Sequence, residues 1–237
     1  MRTGVAFAPL LAAALGAAAC GGLPGRPAPG EAEIRPDRVT DFQTLYSENC
    51  AGCHGPRGGG GAGAIGLANP IYLAIADDEV IRRTTASGAP GTLMPAFAQS
   101  SGGMLTDPQI GILVKGIRGW ARAETSGSET PPPHADAAGD AARGADVYAR
   151  FCASCHGPDG AGGPKAGSIV DGSFLGLVSD QSLRTTIIAG RPDIGQPDWR
   201  SDVAGQPLSA RDVSDVVAWL SARRPSLPGQ PYPGRNP

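Results

Sequence analysis

The sequence predicts a helical protein built from two repeated halves, in which short helices flank long glycine-rich loops. Two observations support this fold class: the halves match each other position by position, and each half ends in apolar residues at helical spacing. A third is composition, since 36 glycines, 23 prolines and only 5% aromatic residues leave each half a thin core of side chains. A large apolar cofactor would fill such a core.

The repeat is clearest when positions are counted from His54 in the first half and from His156 in the second. Gly55-Pro56 then aligns with Gly157-Pro158, directly after the two histidines. The further matches are Tyr72-Leu73 with Phe174-Leu175, Arg82 with Arg184, Thr84 with Thr186, Pro95 with Pro197, and Phe97 with Trp199. This register indicates two copies of one domain in tandem.

Helices are predicted at both ends of each half. The closing helices carry apolar residues at i, i+3, i+4 and i+7: Ile110, Leu113, Val114 and Ile117, and then Val213, Val216, Val217 and Leu220. Two pairs are spaced as capping boxes that begin these helices, namely Thr106 with Gln109 and Ser209 with Asp212. Shorter helices are predicted before each cysteine pair, carrying Phe42 and Tyr46 in the first half, and Val147, Tyr148 and Phe151 in the second.

The amino terminus has the pattern of an export signal, with Arg2 ahead of a short apolar stretch and small residues ahead of Cys20. The residues before Cys20 resemble the lipobox of bacterial lipoproteins, although Ala17 stands where a lipobox usually has leucine. We expect Cys20 to carry a lipid, because it would otherwise be an unpaired cysteine of the cell envelope. Cleavage after an Ala-x-Ala pattern, without lipid, is the alternative.

Composition shifts divide the chain into six segments. These are a signal segment with lipobox (1–20), a flexible tether (21–36), a first domain (37–120), a linker (121–139), a second domain (140–224) and a proline-rich tail (225–237). The net charge of −2 argues against a nucleic-acid partner, since phosphate binding relies on clustered lysine and arginine.

Each half contains one C-x-x-C-H motif, the attachment signature of a c-type haem. The motif residues are Cys50, Cys53 and His54 in the first half, and Cys152, Cys155 and His156 in the second. Two cysteines three apart at a helix end present their sulfurs to the two vinyl groups of one haem, and the adjacent histidine can bind the iron. A disulfide, a zinc site or a thioredoxin-like motif would not account for the histidine that follows each pair.

With these motifs, the chain resembles the cytochrome c family. The resemblance covers roughly residues 35–120 and 140–224, and it also includes Tyr46 and Tyr148, four residues before the first cysteine of each motif. It implies an all-α fold of two tandem cytochrome c domains, two covalently bound haem c groups, and electron transfer by iron. It also implies that Pro56 and Pro158 help to orient the histidines.

In this family the sixth iron ligand is usually the methionine of a Met-Pro pair, which implies Met94 in the first domain. Met104 lacks this context and is expected to be a packing side chain. The second domain has no methionine, and Gln196 stands at the matching position. Gln196 could bind iron through its amide oxygen, the iron could stay five-coordinate or bind water, or another residue could replace it.

Other marked residues have simpler interpretations. His134 lies in the proline-rich linker, where a solvated histidine is expected. The run 77–79 is expected to begin a helix, where carboxylates suit the positive end of the dipole. For Arg82 and Arg184 a solvated helix face and a haem propionate contact both stay open, and Phe97 and Trp199 are expected to pack beside the haem.

The favoured function is electron transfer in the cell envelope, on the periplasmic side, by a protein anchored through lipid at Cys20. Its expected partners are redox proteins and a membrane respiratory complex. The alternative is a diheme oxidoreductase of the peroxidase or thiosulfate dehydrogenase type, with the methionine-free haem as its catalytic site. A gas sensor is a third class, but the sequence provides no output domain for it.

Overall fold

The computed structural model describes residues 34–61, 64–123, 130–132, 138–201 and 203–226. The predicted signal segment, Cys20 and His134 lie outside these ranges. The α-helices in the described part are α1 (Phe42–Asn49), α2 (Ala51–His54), α3 (Pro70–Ile75), α4 (Asp78–Ser87), α5 (Asp107–Gly119), α6 (Ala141–Phe151), α7 (Ala153–His156), α8 (Gly172–Leu177), α9 (Asp180–Ala189) and α10 (Ala210–Ser221). The described part also contains short 3-10 helices and isolated β-bridges but no β-strand, so the predicted all-α class is confirmed.

Helices α1 to α5 form a first lobe around one apolar core. The buried residues of this core include Leu45, Tyr46, Leu73, Ile81, Ile110, Leu113, Val114 and Ile117. Helix α1 begins at Asp41, whose carboxylate accepts a hydrogen bond from the Thr44 amide at 2.7 Å. The predicted capping box of Thr106 and Gln109 is confirmed at the start of α5. Asp77 caps α4, which confirms the interpretation of the acidic run.

Helices α6 to α10 form a second lobe with the same order of elements. Its core includes Val147, Tyr148, Leu175, Leu183, Ile188, Val213, Val216, Val217 and Leu220. Asp140 caps α6, and the predicted capping box of Ser209 and Asp212 begins α10. In both lobes, the short predicted helix before the cysteine pair and the longer closing helix are confirmed.

An arginine at the end of the closing helix in the first lobe, and one shortly after it in the second, holds the turn between the two middle helices. In the first lobe, Arg118 donates to the carbonyls of Leu73 and Ala76 and pairs with Asp78 at 2.7 Å. In the second lobe, Arg224 donates to the carbonyls of Leu175 and Val178, both at 2.9 Å, and pairs with Asp180 at 2.8 Å. These charged hydrogen bonds satisfy carbonyls that the short helices leave without partners.

The two lobes pack against each other through α3 of the first and α9 of the second. Ile71 and Ile75 of α3 join the apolar core of the second lobe. Contacts divide the chain into Met1–Arg38 and Val39–Pro237, and both lobes belong to the latter unit. Within the described ranges, no helix has the length and apolar character needed to cross a membrane.

Candidate haem sites

The first cysteine–histidine motif forms a tight turn between α1 and α2. Cys50 ends α1 with its amide bonded to the Tyr46 carbonyl at 2.9 Å, and its own carbonyl accepts from the His54 amide at 3.0 Å. Cys50 is buried and Cys53 is exposed. The second motif repeats this turn, with the Cys152 carbonyl accepting from the His156 amide at 3.0 Å.

Both motif histidines are held through the same ring nitrogen. Nδ1 of His54 lies 2.8 Å from the carbonyl oxygen of Ile65, and Nδ1 of His156 lies 3.0 Å from that of Gly167. A carbonyl oxygen can only accept a hydrogen bond, so Nδ1 must carry the proton. The neutral ring then presents an unprotonated Nε2, the tautomer that a metal-binding histidine needs.

A glycine loop lies directly against each turn. Gly55 and Gly157 follow the histidines with φ of 75° and 80°, in the left-handed region that favours glycine. A Cβ on Gly55 would lie 2.1 Å from the Gly60 carbonyl oxygen, and one on Gly157 would lie 2.4 Å from that of Gly162. No larger residue fits at either position.

A buried tyrosine ties the helix before each motif to this loop. The Tyr46 hydroxyl donates to the Gly55 carbonyl at 2.8 Å, and the Tyr148 hydroxyl donates to the Gly157 carbonyl. The two tyrosines are 2% and 1% exposed. Burial is the main cause that raises the pKa of Tyr46, to about 12, so the hydroxyl stays protonated as a donor.

Burial also shifts the groups of the first motif. It raises the pKa of the Cys50 thiol to about 11, with a smaller contribution from the charge of Cys53. It lowers the pKa of His54, opposed in part by the hydrogen bond to Ile65. Both shifts favour the neutral forms of these side chains.

The two loops that contain the candidate sixth ligands have the same backbone pairing. The Ala89 amide donates to the Met94 carbonyl at 3.1 Å, and the Arg191 amide donates to the Gln196 carbonyl at 3.0 Å. The side-chain amide of Gln196 donates to the Thr186 carbonyl at 3.3 Å. Because the Gln196 nitrogen is held in this way, its oxygen keeps its acceptor capacity.

The expectation for Met104 is wrong, and one of the two alternatives left open for Arg184 is excluded. Met104 is 77% exposed and therefore does not pack in a core. Arg184 is 7% exposed, so it does not lie on a solvated helix face; it donates to Ser214 of α10 at 3.4 Å, because α9 packs against that helix. Arg82, its match in the first half, is exposed as expected. Phe97 and Trp199 pack against the cores of their own lobes.

The disulfide and zinc alternatives can be compared with the described part of the chain. None of the four motif cysteines forms a disulfide. Nor do three or more His, Cys, Asp or Glu side chains come together there as a metal site, which a zinc site shared by the two motifs would require.

A family model described as "Cytochrome C oxidase, cbb3-type, subunit III" matches this chain twice, over residues 37–115 and 139–220. The chain belongs to this family. Two similar relatives carry the same assignment in their names. The cbb3-type cytochrome c oxidase subunit FixP of Bradyrhizobium sp. (strain ORS 278) is 30% identical over 72% of this chain and 58% of the relative. The subunit CcoP of Azospirillum sp. (strain B510) is 34% identical over 55% of this chain and 42% of the relative.

The chain thus spans about half the length of the curated relatives it matches. Among solved structures, a chain of the Kuenenia stuttgartiensis reducing HAO-like protein complex Kustc0457/Kustc0458 matches with a TM-score of 0.46 at 19% identity. That match covers 81% of this chain and 100% of the other.

As a member of this cbb3 subunit III family, which is a diheme cytochrome c family, the chain carries two haem c groups. The donor set of each lobe fits one such group. Each motif offers two thiols and a histidine whose tautomer leaves Nε2 available. Large apolar side chains are exposed in both candidate distal loops, Leu93 at 75% and Ile194 at 69%, which suits an apolar macrocycle.

Sequence reasoning missed the residues that join the lobes beside these sites. Arg191 donates to the Gly61 carbonyl at 3.0 Å, and the Asn69 side-chain amide donates to the Ala189 carbonyl at 2.8 Å. The partners are 130 and 120 residues apart in sequence. Only the Arg191 contact has a local signal: the second half has arginine at the repeat position where the first half has Ala89.

Proposed function

We propose that this chain transfers electrons as the diheme cytochrome subunit of a cbb3-type cytochrome c oxidase, with one haem c in each lobe. The observation that carries the proposal is the pair of equivalent motif turns, in which each histidine is fixed through Nδ1. Two centres held by the same backbone device suit repeated one-electron transfer, which needs no substrate site.

The residue roles follow the chemistry of the motifs. The proposed covalent attachment residues are Cys50, Cys53, Cys152 and Cys155. The proposed iron ligands are His54 with Met94 in the first lobe, and His156 with Gln196 in the second. When bound, the haem supplies an iron that alternates between Fe(II) and Fe(III). The chain itself orients the imidazoles and shields part of each site from water.

The different distal residues predict unequal centres. A thioether favours Fe(II), so Met94 is expected to give the first centre the higher potential. The amide oxygen of Gln196 is a weaker and harder ligand, and water or an open position at the iron is its alternative. The proposed roles of the lobes are therefore distinct although their backbones agree.

The proposed location is the periplasmic side of the cell envelope, in association with the membrane complex. Lipid at Cys20 is the proposed anchor, and the tether (21–36) would separate it from the folded part. The proposed domains are residues 37–120 and 140–224, with the linker between them. Family membership favours this carrier over a diheme oxidoreductase with a catalytic second haem.

Intact mass of the purified chain tests the attachment sites. The wild type should carry the mass of two haems, and a variant with both Cys152→Ala and Cys155→Ala should carry one. Ser154→Ala, between these cysteines, is the matched control and should keep two. A wild type with fewer than two haems would refute the proposal.

Electron delivery tests the partner. The protein, reduced with ascorbate, should be reoxidised rapidly by a cbb3 oxidase preparation depleted of its diheme subunit, with oxygen present. The control is the same preparation inhibited with cyanide. Reoxidation no faster than in that control would leave the chain without its proposed partner.

A further inference from the structure

One of the polar contacts between the lobes connects the loop after one candidate iron ligand with the loop that contains another. In the first lobe, this contact lies in the proximal loop, which we define as residues 55–61 after His54. In the second lobe, it lies in the distal loop, defined as residues 190–198, which contains Gln196. Arg191 of the distal loop donates to the Gly61 carbonyl of the proximal loop at 3.0 Å.

Arg191 is buried where the two loops meet. Its residue is 9% exposed, and its guanidinium pairs with both carboxylate oxygens of Asp193, at 2.8 and 2.7 Å. The same carboxylate lies over Gly60, where a Cβ would be 3.0 Å from the Asp193 carboxyl carbon. A buried guanidinium with a two-pronged partner is held in one orientation.

The backbone of Arg191 extends the connection to both sites. Arg191 and Gln196 exchange two backbone hydrogen bonds, each 3.0 Å long. On the other side, the Gly60 amide donates to the His54 carbonyl at 2.9 Å. One arginine therefore links the loop of the second lobe's candidate distal ligand with the loop that packs on the first lobe's histidine.

At the position that matches Arg191, the first lobe has a small side chain. Ala89 occupies the position of Arg191 and makes the same backbone bond, to Met94, but its methyl group cannot reach another lobe. The arginine is thus specific to the distal loop of the second lobe, on the side that faces the first.

Resting on the proposed function, we propose that Arg191 is a positioning residue for electron exchange between the two lobes. It holds the distal loop of the second lobe against the proximal loop of the first, so that the centres exchange electrons in one fixed geometry. In each exchange one electron passes, Fe(II) in one lobe becoming Fe(III) as Fe(III) in the other becomes Fe(II). No proton or further reactant is needed.

The test uses the holoprotein and measures the rate of electron exchange between lobes after rapid partial reduction by pulse radiolysis. Arg191→Ala should lower this rate about tenfold, because losing a charged hydrogen bond shifts the loop equilibrium by about that factor. Arg191→Lys should restore it only in part, since an ammonium cannot pair with Asp193 in two-pronged fashion and also reach Gly61.

Arg200→Ala is the matched control. Arg200 also pairs with an aspartate two residues away, Asp198, at 2.9 and 2.5 Å. Its variant should keep the wild-type exchange rate. EPR relaxation of the two ferric centres gives a second readout: Arg191→Ala should weaken their magnetic interaction, and Arg200→Ala should not.

Asn69→Asp tests the interface from the other lobe. The aspartate keeps the side-chain oxygen that caps α3, but it loses the donor to the Ala189 carbonyl. It should lower the exchange rate in the same direction. If Arg191→Ala does not fold, the rate in Arg191→Lys decides the role of Arg191, and a wild-type rate in that variant refutes it.

Failure of this inference is distinct from failure of the proposed function. A wild type without two reducible haems would sink the proposed function. If both haems are present and reducible while the exchange rate and the EPR interaction are unchanged in Arg191→Ala, only the role of Arg191 is refuted.

Discussion

In each lobe the first and last helices cross closely over a glycine, but the glycine lies on a different helix in the two lobes. In the first lobe the small residue is on the closing helix: a Cβ on Gly116 would lie 2.1 Å from the Phe42 ring. In the second lobe it is on the opening helix: a Cβ on Gly144 would lie 2.1 Å from the Asp215 carbonyl oxygen and 2.7 Å from Cβ of Trp219. The two copies keep the close approach of the helices, and the large and small partners have changed places.

The tryptophan that contacts the buried tyrosine also stands at a different position in the two closing helices. Trp120 packs edge-on against Tyr46, with ring centroids 5.0 Å apart, whereas Trp219 stacks on Tyr148 at 4.3 Å. In the register of the closing helices, Trp219 takes the position of Gly116, one turn before Trp120. Each tyrosine keeps an indole neighbour because residues one turn apart share a helix face. Duplicated domains can thus conserve a contact without conserving its position.

The largest expected effect breaks the helix crossing. Gly144→Ala places a methyl group against the backbone of Asp215, which cannot rotate away, and should cost about 3 kcal/mol of unfolding free energy or more. Gly116→Ala meets a side-chain ring that can shift, and should cost about 1–2 kcal/mol. Urea unfolding of the holoprotein measures both.

Gly119→Ala is the control for this pair, because no atom lies within 4 Å of a Cβ at that position. It should be neutral or slightly stabilising. Equal costs for Gly144→Ala and Gly116→Ala would contradict the difference between a backbone and a side-chain obstacle.

The next largest expected loss of stability comes from removing the arginines that hold the turn between the middle helices of each lobe. Arg224→Ala should cost about 3 kcal/mol and Arg118→Ala about 2 kcal/mol, since each removes charged hydrogen bonds to two carbonyls. The difference follows from side-chain exposure, 8% for Arg224 against 29% for Arg118. Thermal unfolding is the measurement, with the exposed Arg83→Ala as control. A larger loss in Arg118→Ala would overturn this ranking.

Exchanging the candidate distal ligands sharpens the comparison of the two sites. Gln196→Met should raise the potential of the second centre by at least ~60 mV, a tenfold change in electron distribution, because a thioether favours Fe(II). Met94→Gln should lower the potential of the first centre. A spectroscopic redox titration resolves both, with Gln181→Met on α9 as control. No change in Gln196→Met would place that residue away from the iron.

The smallest expected effect comes from the tyrosine hydroxyl that, in both lobes, donates to the loop after the motif. Tyr46→Phe and Tyr148→Phe each remove one hydroxyl donor from a loop carbonyl, and each should cost about 1 kcal/mol. Guanidinium unfolding of each variant, followed by Soret absorbance, measures its loss of unfolding free energy. A loss in one variant alone would mean that the tyrosine supports are not equivalent.

Much of the fold could be predicted from local sequence. The capping boxes, the helix before each motif and the acidic start of α4 depend on residues within one or two turns, so spacing alone reveals them. The motif turns are equally local: in both halves a tyrosine precedes the motif and a glycine follows it at the same spacing.

What could not be predicted depends on contacts between distant segments. Arg118 and Arg224 do the same work but are out of register in the repeat, so aligning the halves drew attention to Arg82 and Arg184 instead. Burial of Arg184 results from packing of α9 on α10, which no short pattern encodes. The bond from Arg191 to Gly61 spans 130 residues, and the arginine at the position of Ala89 does not by itself name the partner.

The position of α3 implies an order of assembly. Ile71 and Ile75 belong by chain order to the first lobe, yet they complete the apolar core of the second. The apolar core of the second half can therefore close only once α3 of the first half is folded. We expect the second half, produced without residues before 139, to expose an apolar groove and to aggregate, whereas the first half can fold early and serve as its template.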